Sequence, residues 1–209
     1  MIRPEAPLVF IVDDDPSVRK SLTRLLRGAG YEVEAFASAA EFLARPRDDA
    51  PCCLVLDVRM PGLTGLQLQE ALATEGHLSS TVFITGYGDV SVGVKAMKGG
   101  AVDFLTKPVD RHELLGAIER AVTKARQARR EEARISEIRG RIKTLTPREA
   151  EVFALVVTGM LNKQIAADLG VSEKMVKVHR GHVMEKMRAG SLAELVRLAD
   201  QGGVIAAKS

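Results

Sequence analysis

No part of this 209-residue sequence is continuously apolar over the roughly 20 residues that a membrane-spanning helix needs. Low-complexity tracts are also missing. Met1–Leu8, interrupted by Pro4 and Pro7, lacks the pattern of a secretory signal, so a cytoplasmic location is expected. Cysteine is scarce: Cys52 and Cys53 are the only two, and they adjoin inside the apolar run Cys52–Leu56. They read as small buried hydrophobes on a strand rather than as a disulfide or metal pair. What is present is a soluble globular composition, 46% hydrophobic and 27% charged. The length suits two modest domains better than one large one.

The net charge of +3 is unevenly spread, with residues 1–122 at −4, 123–144 at +5 and 145–209 at +2. An acidic front and a basic back suggest two tasks and an anionic partner for the back.

In residues 1–122, short apolar runs alternate with helical patterns. The runs are Leu8–Val12, Tyr31–Phe36, Cys52–Leu56, Thr81–Thr85 and Val102–Leu105. Nearly pure apolar runs fit strands buried on both faces of a parallel sheet; the mixed Tyr31–Phe36 suits an edge. Asp15-Pro16 opens the first helical segment as N-cap and first-turn proline, with Val18, Leu22, Leu25 and Leu26 inward. Asp89 is a candidate cap for Val90–Lys98, and Asp110 with Glu113 forms a capping box. Five strands alternating with five helices predict a doubly wound α/β domain with a five-stranded parallel sheet.

Residues 123–144 lack helix breakers over Lys124–Arg139 and predict a helical linker continuing the fifth helix. Thr146-Pro147-Arg148-Glu149 is another capping box, as are Ser191 and Glu194. Short helices are expected at about 147–158, 162–169, 173–188 and 192–200. Residues 145–209 thus predict an all-α domain.

Ligands of open α/β sheets bind at the carboxyl ends of the strands. Those ends carry Asp13-Asp14-Asp15, Asp57, Thr85 and Thr106-Lys107-Pro108. Asp15 reads as a helix cap. Asp57 does not read so simply, because a carboxylate closing a buried strand is costly to desolvate. The crowded carboxylates of Asp13, Asp14 and Asp57 suit a hard cation such as Mg²⁺. Beside it Asp57 is a candidate nucleophile toward phosphorus, with Lys107 offsetting charge on the transferring group and the Thr85 hydroxyl donating to it.

These residues stand in Ile11-Val12-Asp13-Asp14-Asp15, Leu56-Asp57-Val58-Arg59-Met60-Pro61-Gly62, Ile84-Thr85-Gly86 and Phe104-Leu105-Thr106-Lys107-Pro108. Over residues 8 to about 122 the sequence resembles the receiver domains of two-component response regulators, of the flavodoxin-like fold. The resemblance implies that Asp57 accepts a phosphoryl group from a sensor histidine kinase. It implies that Asp14, Asp57 and the Arg59 backbone carbonyl hold Mg²⁺, with Asp13 acting through water. Thr85 and Phe104 would move together as the switch. Such a domain is not an enzyme beyond self-catalysed phosphoryl acceptance and slow autodephosphorylation. Asp15 stands where many relatives have glutamate, and Gly86 where alanine is common.

Further along, Ala166, Gly170 and Val176 have helix-turn-helix spacing, with Ile165, Leu169, Val171 and Met184 completing a small core. Ser172 caps the second helix, whose outer face is expected to present Lys174, Lys177, His179, Arg180 and Lys186 to a DNA major groove. His179 and His182 read as surface groups rather than metal ligands. The stretch 146–200 resembles the DNA-binding domain of the LuxR/FixJ group, through Leu145–Glu149, Asn162–Ala166 and Val176–Arg180. That resemblance implies base contacts from Lys177 and Val178, with Asn162, Lys163 and Arg180 nearer phosphates. Met175 replaces the usual threonine, and Gly181 fills a position that can carry a contacting side chain.

The two resemblances together imply a transcription regulator whose phosphorylation changes dimerisation and DNA binding. Double-stranded DNA, a second copy of the chain and RNA polymerase are its candidate partners. Two rival readings stand beside this one. A phosphatase of the haloacid dehalogenase type also uses Asp, Thr and Lys, but in an Asp-x-Asp-x-Thr pattern that Asp13-Asp14-Asp15-Pro16-Ser17 does not match. A DNA-binding protein whose receiver works without phosphate is the other.

Overall fold

The computed structural model describes residues 6–46, 52–74, 80–86 and 90–204. Asp89, the candidate cap of the fourth helix, and the start of the chain through residue 5 lie outside them. The chain divides into two compact units, Met1–Arg129 and Arg130–Ser209.

The first unit alternates strand and helix: β1 Leu8–Val12, α1 Pro16–Gly28, β2 Glu32–Phe36, α2 Ala39–Ala44, β3 Cys52–Asp57, α3 Gly65–Thr74, β4 Ser80–Thr85, α4 Val90–Lys98, β5 Asp103–Thr106, and α5 from Arg111. All strand pairs are parallel, in the order β2-β1-β3-β4-β5. The expected doubly wound domain is therefore observed. β2 is an edge, as its mixed composition predicts, and only Val33 in it is buried.

Alternation along the strands splits the core into two layers. Val9, Ile11, Val55 and Ile84 point to one side, where Leu22 and Leu26 of α1 and Leu114, Ala117 and Ile118 of α5 cover them. Phe10, Val12, Leu54, Leu56 and Phe83 point to the other, against Phe42, Leu68, Leu72 and Ala96. Sequence signals set the helix ends. Asp15 Oδ1 accepts from the amides of Ser17 (2.7 Å) and Val18 (3.4 Å) ahead of Pro16. Asp110 Oδ1 accepts from the His112 and Glu113 amides at 2.8 and 3.1 Å.

α5 runs Arg111–Lys143, so the stretch 123–144 is helical almost throughout. Ile138 and Ile142 within it belong to the core of the second unit. The remaining helices are α6 Pro147–Val156, α7 Asn162–Leu169, α8 Glu173–Met187 and α9 Leu192–Gly202. Thr146 and Glu149 form the reciprocal capping box at α6, while Ser172 and Ser191 cap α8 and α9. Gly170 takes φ +65° at the end of α7, a left-handed conformation that glycine adopts without steric cost and that turns the chain into α8. Ile165 and Val176 are fully buried, and Leu169, Val171 and Met184 pack around them. Among the described residues, no helix is long and apolar enough to cross a membrane.

Candidate functional site

Four strand ends converge in the first unit. Asp13 follows β1 with no exposed surface, Asp57 closes β3 at 5% exposure, and Thr85 closes β4 at 1%. Lys107, just after β5, reaches back to the two carboxylates: its Nζ donates to Asp13 Oδ2 at 2.7 Å and to Asp57 Oδ1 at 2.6 Å. The position of Lys107 is fixed by its amide, which donates to the Thr85 carbonyl at 2.7 Å, and its bond to Pro108 is cis.

The other oxygens of the two carboxylates are held by backbone. Asp57 Oδ2 accepts from the Arg59 amide at 2.6 Å, and Asp13 Oδ1 from the Asp15 amide at 2.9 Å. Arg19 of α1 donates to the Asp13 carbonyl at 2.7 Å, a support that sequence spacing does not advertise. α3 begins directly behind the site. Gly65 is required there, because a Cβ would run into the Asp57 carbonyl oxygen.

Burial pushes the Asp57 carboxyl above its usual range, against the pull of Lys107 and the Arg59 amide. Burial also works to lower the Lys107 ammonium, but its hydrogen bonds to Asp13 and Asp57 outweigh that and hold it above the ordinary lysine value. The pocket thus holds two carboxylates against one firmly protonated lysine, an excess of negative charge in a desolvated place.

That donor set fits Mg²⁺, which takes one or two carboxylates and keeps several waters. The Asp13 and Asp57 oxygens point to a common place, the one Lys107 reaches. Asp14 stands exposed beside them. No group of three or more His, Cys, Asp or Glu side chains converges as a metal cage among the described residues.

Phe104 is half-buried on β5, its ring 6.4 Å from that of Phe83 and tilted 39° to it. It also packs beside Gly93 of α4, where an added Cβ would lie 3.5 Å from the Phe104 ring. Sequence reasoning missed Gln69. From α3 its Nε2 donates to the Ala96 carbonyl of α4 at 3.3 Å and to the Gly99 carbonyl just past it at 3.1 Å. A glutamine on an apolar helix gives no sign of such a partner 30 residues away.

In the second unit α8 buries Val176, Val183 and Met187 and turns Lys174, Lys177 and Val178 outward. Lys163 is exposed at the start of α7, and Arg180 Nη1 donates to Asn162 Oδ1 at 3.1 Å, so two of the expected backbone contacts meet. Three of the five residues expected on the outer face of α8, His179, Arg180 and Lys186, are only partly exposed. Lys186 turns inward, donating to Glu149 Oε2 (2.6 Å) and the Thr144 carbonyl (3.2 Å). The reason is electrostatic: Glu149 is a buried carboxylate, and Lys186 supplies its counter-charge. His179 is half-buried with Nδ1 enclosed. His182 Nδ1 lies 3.5 Å from Glu149 Oε1. Lys186 and the Thr146 amide together pull the Glu149 carboxyl down to about 2.

Comparison with known proteins agrees with this anatomy. Residues 9–119 match the response regulator receiver domain, and residues 143–199 match the luxR family of bacterial regulatory proteins. Nodulation protein W of Bradyrhizobium diazoefficiens is 50% identical over 199 residues, covering 95% of this chain and 88% of that one. Transcriptional regulatory protein FixJ of Azorhizobium caulinodans is 46% identical over 204 residues, covering 96% and 95%. Among solved structures, response regulator StyR superposes with a TM-score of 0.82 at 45% identity, over 94% of this chain and 99% of that one. The chain belongs to the response regulators, with a receiver domain followed by a LuxR-type DNA-binding domain.

Proposed function

We propose that Asp57 is the phosphoryl acceptor of this response regulator and that its modification changes how the chain pairs and binds DNA. The observation that carries the reading is Lys107, whose ammonium bridges Asp13 and Asp57 at the end of the sheet. A family of this kind implies a histidine kinase as phosphoryl donor and DNA as target. Asp14, Asp57 and the Arg59 carbonyl would hold Mg²⁺, with Asp13 reaching it through water, and the ion would offset the charge that gathers on the transferring group.

The chain's own residues supply the rest. Asp57 Oδ1 attacks the donor phosphorus, forming an O–P bond as the P–N bond to the kinase's phosphorylated histidine breaks and its imidazole leaves, while Oδ2 stays on the Arg59 amide. Lys107 moves from bridging two carboxylates to binding the new phosphoryl oxygens. The Thr85 hydroxyl donates to one of them, and the half-buried Phe104 ring repacks toward the space Thr85 leaves. β5 and α4 share Phe104, so their outer face changes. Val90, Val94 and Met97 already expose apolar surface on α4, which favours pairing of two receivers there. Pairing brings two copies of α8 to half-sites, with Lys174, Lys177 and Val178 toward bases and Asn162, Lys163 and Arg180 toward phosphates. RNA polymerase is a candidate partner of the DNA-bound chain, and the cytoplasm its place of action.

The test uses BeF₃⁻ with Mg²⁺ as a phosphoryl mimic, with sedimentation and DNA gel shift as readouts. The wild type is expected to gain a dimer and tighter DNA binding, and Asp57→Asn neither. A wild type that stays monomeric and binds DNA unchanged would contradict the switch.

A further inference from the structure

One line along α8 faces directly away from the core. Val176, Val183 and Met187, at i, i+7 and i+11, are buried. Lys174, Val178 and Gly181, at i, i+4 and i+7, lie on the opposite stripe. Met175 flanks that stripe one turn before Val178. Met175 is 49% exposed and Val178 50%, so beside the exposed Lys174 and Lys177 the helix presents an apolar strip.

Gly181 has no explanation inside the fold. Its backbone is helical, and a Cβ there would meet nothing within 4 Å. A glycine inside a helix destabilises it relative to alanine, so the position carries a cost that packing does not require. What glycine provides on an outward stripe is closer approach of the backbone to a ligand. The ligand's chemistry follows from the surroundings. Lys174 and Lys177 on α8 and Lys163 on α7 are exposed and call for a polyanion. The apolar strip between them calls for an apolar group on that polyanion, and the major groove offers one, the C5-methyl of thymine.

We infer that Met175 and Gly181 set the base preference of this chain. Gly181 lets the middle of α8 seat deeply, and Met175, beside Val178, packs on thymine methyl groups. The inference rests on the DNA-binding reading above and specifies what that surface selects.

The experiment enriches duplexes from a random pool with the full chain. Affinity for the enriched duplex is then measured with each thymine in turn replaced by deoxyuridine. At one or two positions the loss of the methyl should weaken binding about fourfold, the worth of one buried methyl-sized group. Met175→Thr should abolish the sensitivity at one of them. Gly181→Ala should melt at a higher temperature yet bind the enriched duplex several-fold more weakly. Tight, salt-dependent binding that is indifferent to every deoxyuridine, or a Gly181→Ala chain that binds as well as wild type, would overturn the inference and leave DNA binding standing. Absence of any enriched duplex and of any salt-dependent binding would overturn both.

Discussion

Asp57 and Lys107, 50 residues apart in sequence, are joined by a 2.6 Å hydrogen bond at the end of the sheet. Asp13 shares the same ammonium, so the buried charges do not balance. Burial has already pushed the Asp57 carboxyl upward, which marks its ionised form as the expensive one. Asp57→Asn is therefore expected to stabilise the receiver in Mg²⁺-free buffer. An increase of about 1 kcal/mol would raise the melting temperature by a few degrees in a domain of this size. Lys107→Met should act in the opposite direction by roughly 1–3 kcal/mol, because it leaves two buried carboxylates without a cation. Thermal unfolding of both variants checks the pair of signs; equal signs would contradict the charge arrangement.

The proposed Mg²⁺ site gives a second test of the same pocket. A ligand that binds only the folded chain stabilises it in proportion to the logarithm of its concentration over its dissociation constant. Wild type should gain melting temperature as Mg²⁺ is added and lose it again with chelator. Asp57→Asn, lacking one carboxylate oxygen of the donor set, should respond much less. An equal response would place the metal elsewhere.

The DNA-binding unit is expected to have its own acid dependence. Glu149 is held down to about 2 by Lys186 and the Thr146 amide, against 4.5 for a free glutamate. A depressed carboxyl contributes stability that is present above its unfolded value and lost as pH falls through the folded one. Urea unfolding of the second unit should weaken between about pH 4.5 and 2. In Glu149→Gln that part of the slope should be missing, and stability at neutral pH should fall by roughly 1–3 kcal/mol as Lys186 loses a charged partner. An unaltered acid slope would show that another carboxylate sets it.

Gln69 ties α3 to the C-terminal end of α4 through two carbonyls. Gln69→Leu should cost roughly 1–3 kcal/mol, since those acceptors remain partly enclosed without a donor. Hydrogen exchange should then rise over Val90–Lys98 more than over β3 or β4. A uniform rise would mean that Gln69 contributes only to global stability.

Much of this was legible because local signals and tertiary needs agree. Apolar runs gave the strands, and the charges in Glu32–Phe36 marked an edge. Asp15-Pro16, Thr146-Pro147 and Gly170 marked helix ends where the structure has them. The strand-end residues Asp13, Asp57, Thr85 and Lys107 were legible through topology, because parallel strands bring their carboxyl ends to one edge. Contacts that depend on the rotation of one helix against another were not. Lys186 looks like any exposed cation on α8 until α6 places a buried Glu149 beneath it. Gln69 and Arg19 have partners set by packing, with no spacing rule to announce them.

Phosphoryl acceptance by Asp57 is the proposal on which the switch depends. Intact-mass measurement after incubation with acetyl phosphate and Mg²⁺ tests it directly, with wild type and Asp57→Asn side by side. A phosphate-sized gain is expected in wild type, prevented by chelator and never shown by Asp57→Asn. A gain of the same size in Asp57→Asn, or none in wild type, would contradict the proposal.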